Sequence, residues 1–127
     1  MSNLTYEDII EKSYPSGEMI ENLVEGLDAM LDHMNDSYRE WMKTDDPIKK
    51  RMCSEYHAGL TYYMGKKYVK VISGNSVCAF VVACDGDKKF MFGDILKPAG
   101  WRAPARNFRR GNVLDRSFDR VRWTGAL

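Results

Sequence analysis

The chain has 127 residues, 44% of them hydrophobic and 29% charged, with a formal net charge of +1. That length supports one domain whose core buries roughly two-thirds of the unfolded surface, and the composition is that of an ordinary globular chain. No apolar run approaches the ~20 residues of a membrane span, and the first five residues carry no basic stretch ahead of an apolar one; the expectation is a cytoplasmic protein with no membrane partner.

The small net charge conceals a strong segregation. Residues 1–46 hold 12 acidic and 3 basic side chains, residues 47–96 hold 8 basic and 4 acidic, and residues 97–127 hold 8 basic and 2 acidic. Either the two ends neutralise each other within the fold, or each faces a partner. The region 1–65 is expected to be acidic and helical, the region 66–127 basic and β-rich, the two forming one compact unit.

In chain order, Thr5, Tyr6, Glu7 and Asp8 have the form of a capping box, which predicts a short helix over about 6–13. Tyr14, Pro15, Ser16 and Gly17 end it. Residues 18–43 carry the clearest period. Ile20, Leu23, Val24, Leu27, Leu31, Met34, Tyr38 and Trp41 recur at steps of three and four, one stripe of a long helix. Gly26 interrupts it at a cost of about 1 kcal/mol relative to Ala. Asp45, Asp46 and Pro47 stop this helix and start another, with Asp46 as cap and Pro47 in the first turn. Ile48, Met52, Tyr56, Leu60 and Tyr63 then predict a narrower stripe closed by Gly65. The two helices are expected to form an antiparallel hairpin.

From residue 66 the texture becomes β-like. Residues 68–72 are β-branched and aromatic, residues 73–76 form a turn, and Val77 to Ala83 form an apolar central strand. Asp85, Gly86 and Asp87 read as a hairpin turn, with a third strand starting at Phe90, Met91 and Phe92 and ending at Asp94, Ile95 and Leu96. Val113, Leu114 and residues 120–123 supply one or two closing strands. The fold class is therefore α+β: an N-terminal helical hairpin packed on a small antiparallel sheet or partly open barrel.

Residues 97–112 are the most informative stretch, with five positive charges and no negative one. Pro98, Pro104, Gly100 and Gly111 break any regular period, so the segment is a loop. Lys97, Arg102, Arg106, Arg109 and Arg110 alternate with Trp101 and Phe108. Single-strand nucleic-acid binders combine these residue types, cations following the phosphates while bases stack on aromatic rings. The candidate nucleic-acid-binding residues are thus Lys97, Trp101, Arg102, Arg106, Arg109 and Arg110. Alternatively the loop is solvated, Trp101 plugs the sheet and some arginines pair to the acidic helix, or the loop meets an acidic protein partner.

On the first long helix Glu21, Glu25, Asp28, Asp32 and Asp36 share one face. Like charges at this spacing each cost a few tenths of a kcal/mol. The stripe is a solvated face, or docks near Lys66, Lys67 and Lys70, or imitates a line of phosphates and engages a basic groove on a host protein.

Other chemistry-bearing residues point to structure. His33 and His57 have no helical metal-site partner at i,i+4. Asp85 and Asp87 flank a turn glycine beside Lys88 and Lys89. Asp94, Asp115 and Asp119 are scattered. Cys53, Cys78 and Cys84 lack metal spacing. No nucleophile elbow, phosphate-binding loop or dinucleotide fingerprint occurs, and the expectation is a binding protein without catalytic residues, metal or cofactor.

Several motifs recur together. Lys67-Tyr68-Val69-Lys70-Val71, Ser76-Val77-Cys78-Ala79-Phe80-Val81, Gly93-Asp94-Ile95-Leu96-Lys97-Pro98, Trp101-Arg102-Ala103-Pro104-Ala105-Arg106 and Arg110-Gly111-Asn112 stand in the order found in a family of small uncharacterised proteins of tailed bacteriophages. The resemblance covers roughly residues 66–125. It implies a phage accessory protein made inside a bacterial host, and it transfers no catalytic residue. Cys78 departs from the family pattern, which carries histidine there.

Overall fold

The computed structural model describes residues 16–43 and 46–127. The capping-box helix expected over 6–13 lies outside the described residues, as does Asp45.

Helix α1 (Gly17–Met42) starts where Ser16 accepts a hydrogen bond from the Met19 amide at 3.2 Å, so the serine satisfies one of the helix's orphan donors. It ends at Lys43, whose left-handed backbone (φ 51°) returns its N–H to the Arg39 carbonyl. Helix α2 (Pro47–Gly59) is capped by Asp46, whose carboxylate accepts from the Ile48 amide, with Pro47 in the first turn as its missing N–H allows.

A four-stranded antiparallel sheet follows, in the order β1 (Leu60–Met64), β2 (Tyr68–Ser73), β3 (Ser76–Val82) and β4 (Ile95–Leu96). A separate two-stranded ribbon pairs β5 (Val121–Arg122) with β6 (Gly125–Ala126). The fold is α+β with an open sheet. Within the described residues no helix is long and apolar enough to cross a membrane.

Three expectations require correction. The second helical stripe does not run to Tyr63: the helix stops at Gly59, and Leu60 enters β1 directly. Tyr56, Leu60 and Tyr63 fit helical spacing, but the run Leu60, Thr61, Tyr62 and Tyr63 is β-branched and aromatic, and pairing with β2 decides the outcome. Helix α2 accordingly buries none of its residues, and Ile48 is 70% exposed. Phe90, Met91 and Phe92 are not a strand; that stretch folds around two aspartates described below, leaving only Ile95 and Leu96 to pair with β3. Val113 and Leu114 belong to a turn closed by an isolated bridge between Asn112 and Ser117.

The core lies between α1 and one face of the sheet. Leu23, Leu27, Met30 and Met34 pack on Val69, Val71, Ala79, Val81 and Ile95, all fully buried. The buried helix face is turned from the expected stripe: Met30 and Met42 are inside, while Trp41 is 60% exposed. Trp41 leans on Trp123 at 4.9 Å, and Trp123 in turn meets Tyr38 edge-on while Tyr38 stacks on Tyr56 at 4.4 Å. These rings fasten both helices to the C-terminal ribbon, aided by a 2.7 Å hydrogen bond from the Tyr56 hydroxyl to the Trp123 carbonyl. Both histidines serve the same packing. His33 Nε2 donates to the Val121 carbonyl at 2.8 Å, and His57 Nδ1 accepts from the Asn35 amide at 2.9 Å.

Gly26 has a structural reason. A Cβ placed there meets the Val113 carbonyl oxygen at 2.6 Å, so the C-terminal turn lies directly against the helix backbone. Helix propensity favours Gly26→Ala by about 1 kcal/mol, while the clash costs about 1–3 kcal/mol. We expect Gly26→Ala to lower the urea unfolding midpoint; a stabilised variant would mean that the Val113 turn does not touch α1.

Candidate nucleic-acid interface

Strand alternation sends Lys70 to the sheet face opposite α1. Its cross-strand neighbours on that face are Tyr63 of β1 and Phe80 of β3. Tyr68 and Val82 form the next row, and Leu96 follows Phe80 across β4. This second face holds its own apolar cluster of Phe80, Val82, Phe90 and Leu96.

The basic loop folds back over this face as a small closed arch. Ala105 N donates to the Lys97 carbonyl at 2.7 Å, Ala99 N donates to the Ala103 carbonyl at 3.0 Å, and Pro98 and Pro104 stand opposite each other. Trp101 occupies the tip, 49% exposed, with the Lys70 ammonium 4.6 Å from its ring centroid. Between the arch and the sheet lies an open groove of 640 Å³. Its aromatic walls are Tyr63, Tyr68, Phe80 and Trp101, and its cations are Lys66, Lys67, Lys70 and Arg102.

Two buried carboxylates hold the arch in place. The Asp87 side chain is 2% exposed. Its Oδ1 accepts from the backbone amides of Lys89 and Phe90 at 2.8 and 2.9 Å, and Arg106 Nη2 reaches both carboxylate oxygens at 2.9 and 3.0 Å. The other Arg106 nitrogen donates to the Tyr68 hydroxyl, and its guanidinium lies 4.9 Å from the Phe90 ring centroid. Asp94, 3% exposed at the side chain, accepts from Arg109 at 3.1 Å, Asn112 at 2.9 Å and the Met91 amide at 2.8 Å. The hydrogen bond from Arg106 holds the Asp87 carboxyl far below the usual carboxylate range, with the two amides adding to it against the effect of burial.

The sequence-level candidates are thereby divided. Trp101 and Arg102 line the groove. Lys97 is exposed at the foot of the arch. Arg106 and Arg109 are ion-paired within the fold, and Arg110 is buried at 6% exposure. Tyr63, Lys66, Lys67, Tyr68 and Lys70 join the site without having been proposed for it. The alternation of Tyr68, Lys70 and Ile72 in β2 signals an outward row; reading Tyr63 as helical conceals its place beside Lys70.

The acidic stripe takes no part in the groove. Glu21, Glu25, Asp28, Asp32 and Asp36 are all exposed. Asp36 pairs with Arg39 on its own helix, and Asp28 accepts a 3.5 Å hydrogen bond from Tyr62. Among the described residues none of the stripe docks on Lys66, Lys67 or Lys70; Lys67 instead approaches Asp87 at 3.9 Å. Asp87, the second carboxylate of the 85–87 turn, is a structural acceptor, and no group of three metal-binding side chains is found among the described residues. Burial pushes the Cys78 thiol up, consistent with an inert core residue. A larger cleft of 820 Å³ lies between the helices near Arg39, Lys50 and His57, but no Phe, Tyr or Trp lines it.

A family model matches residues 7–127. The chain belongs to DUF7717, a family of unknown function. No curated protein and no solved structure matches this DUF7717 chain.

Because its folded pKa is depressed, Asp87 stabilises the fold above the ordinary carboxylate pKa of about 4 and loses that contribution as pH falls. Asp87→Asn should cost about 2 kcal/mol at pH 7, and the gap to wild type should narrow below about pH 4. Urea unfolding across this range checks it; a gap that stays constant would assign the effect to packing.

Proposed function

We propose that this protein is a non-enzymatic bacteriophage accessory protein that acts inside the host cell by binding nucleic acid or a nucleoprotein, and that the groove beneath the Trp101 arch is its contact surface. The observation that carries this reading is the convergence of four aromatic rings and four cations in one open groove. Among the described residues, Lys66 and Arg102 make no ion pair. Unpaired cations attract phosphates by releasing condensed counterions, and the exposed rings of Tyr63 and Trp101 offer flat surfaces to unstacked bases. Because stacking on rings requires unstacked bases, the groove favours single strands over duplex. The resemblance to phage proteins over residues 66–125 spans both the sheet and the arch.

Fluorescence anisotropy with short single-stranded and duplex oligonucleotides tests the reading. Affinity for single strands should fall with salt, with a log–log slope near −0.7 per neutralised phosphate. Lys66→Gln, Lys70→Gln and Arg102→Gln should each make that slope shallower by about 0.7. Trp101→Ala should weaken binding by about 1–3 kcal/mol. Arg106→Gln should primarily destabilise the fold. Single-strand affinity unchanged by the three groove variants would exclude the groove.

A second reading rests on the acidic stripe. Glu21, Glu25 and Asp32 face solvent with no ion-pair partner among the described residues, so a line of negative charge remains for a basic groove on a host protein. Exchanging these three for Lys should abolish a host-protein interaction that the groove variants leave intact. A host partner retained after the exchange would leave the stripe a solvated face.

A further inference from the structure

Arg110 is the least satisfied charged group among the described residues. It is 6% exposed, and no carboxylate pairs with it. Nη1 is fully used, donating to the Asn107 side-chain oxygen at 2.7 Å and the Phe108 carbonyl at 2.6 Å. Nε is buried without any hydrogen-bond partner. Nη2 also makes no hydrogen bond among the described residues. The hydrogens of Nε and Nη2 point the same way along one edge of the guanidinium, the edge that grips two oxygens of an anion at once. In Arg110 that whole edge has no hydrogen-bond partner among the described residues.

A second cation stands beside it. The Arg110 guanidinium lies 3.8 Å from the Phe108 ring centroid, and the Arg120 guanidinium lies 5.5 Å from the same centroid. Arg120 has no ion pair either, although Asp119 adjoins it in sequence. Other nearby carboxylates are engaged: Asp94 with Arg109 and Asn112, and Asp115 with Ser117. Burial, then the charge of Arg120, makes the Arg110 cation harder to hold than usual. Two guanidinium groups sharing one ring, with an open bidentate edge and no counter-charge, match a doubly charged tetrahedral oxyanion. Phe108, the ring that both cations share, is itself 46% exposed.

We infer that the unpartnered edge of Arg110, together with Arg120 beside the same Phe108 ring, is an oxyanion site that takes a phosphate group. It lies outside the Trp101 groove and stands independently of the nucleic-acid reading. The test is ¹⁵N–¹H NMR of the arginine Nε–H groups in the full chain, titrated with inorganic phosphate against sodium chloride at matched ionic strength. Phosphate should move the Arg110 signal saturably and chloride should not. Arg120→Gln should raise the apparent dissociation constant about five- to tenfold. Arg110→Lys, which keeps the charge but removes the fork, should abolish the saturable phosphate shift of the remaining Arg120 Nε–H signal. A signal unmoved by phosphate, moved equally by chloride, or saturating identically in Arg120→Gln would overturn the site. Oligonucleotides with and without a 5′-phosphate identify the source. A response to the phosphorylated strand alone supports a strand terminus, and a response to inorganic phosphate but neither strand supports a small phosphate ester. Lys70→Gln and Trp101→Ala should leave the phosphate response intact, so loss of groove binding and loss of this site are separate results.

Discussion

The second half of this molecule depends on the buried carboxylate of Asp87. After β3 the chain contains few ladder hydrogen bonds, and its backbone must be satisfied by other means. Asp87 accepts two amides of its own turn and then captures Arg106, nineteen positions later in the chain. Asp94 does the same with Met91, Arg109 and Asn112. Each aspartate ties a local turn to a distant strand-like segment, which is how two-residue strands remain in register. Buried ion pairs of this type add little net stability relative to well-packed apolar residues, but removing one partner leaves an uncompensated charge. Their contribution here is geometric: they determine where the Trp101 arch stands.

The apolar core performs the complementary task. α1 covers one face of the sheet with Leu23, Leu27, Met30 and Met34, and the Val113 turn presses against Gly26 on the same helix. The opposite sheet face is only partly covered, by Phe90 and the arch. That asymmetry creates the groove. A sheet wrapped equally on both faces would have nowhere to bring aromatic rings and cations together at the surface.

The large elements were legible in the sequence because their signals are local. Asp46 and Pro47 mark a helix start through their side-chain chemistry, and the β2–β3 hairpin announces itself by a β-branched run broken at Gly74 and Asn75. The extent of α2 was obscured because Leu60 and Tyr63 satisfy helical and extended patterns equally, and only pairing with β2 separates them. Trp101 and Arg102 could be singled out from composition. The functions of Arg106 and Arg109 could not, since a basic loop reads as uniformly solvated until the partners Asp87 and Asp94 are brought to it by long-range folding. The contribution of Lys70 likewise depends on register, which places it between Tyr63 and Phe80.

The layering of charge has an electrical consequence. Acidic side chains occupy the outer face of α1, the core and sheet lie beneath, and the lysines of the groove emerge on the far side. Among the described residues the acidic stripe and the groove cations thus stand on opposite sides of the core, despite a net charge of only +1. Net attraction toward a polyanion is weak for such a body, whereas the aligning torque is substantial within a Debye length of roughly 8–10 Å. Near any line of negative charge, such a separation would turn the groove inward and the acidic side away. Selectivity of orientation, rather than strength of capture, is what this distribution of charge provides.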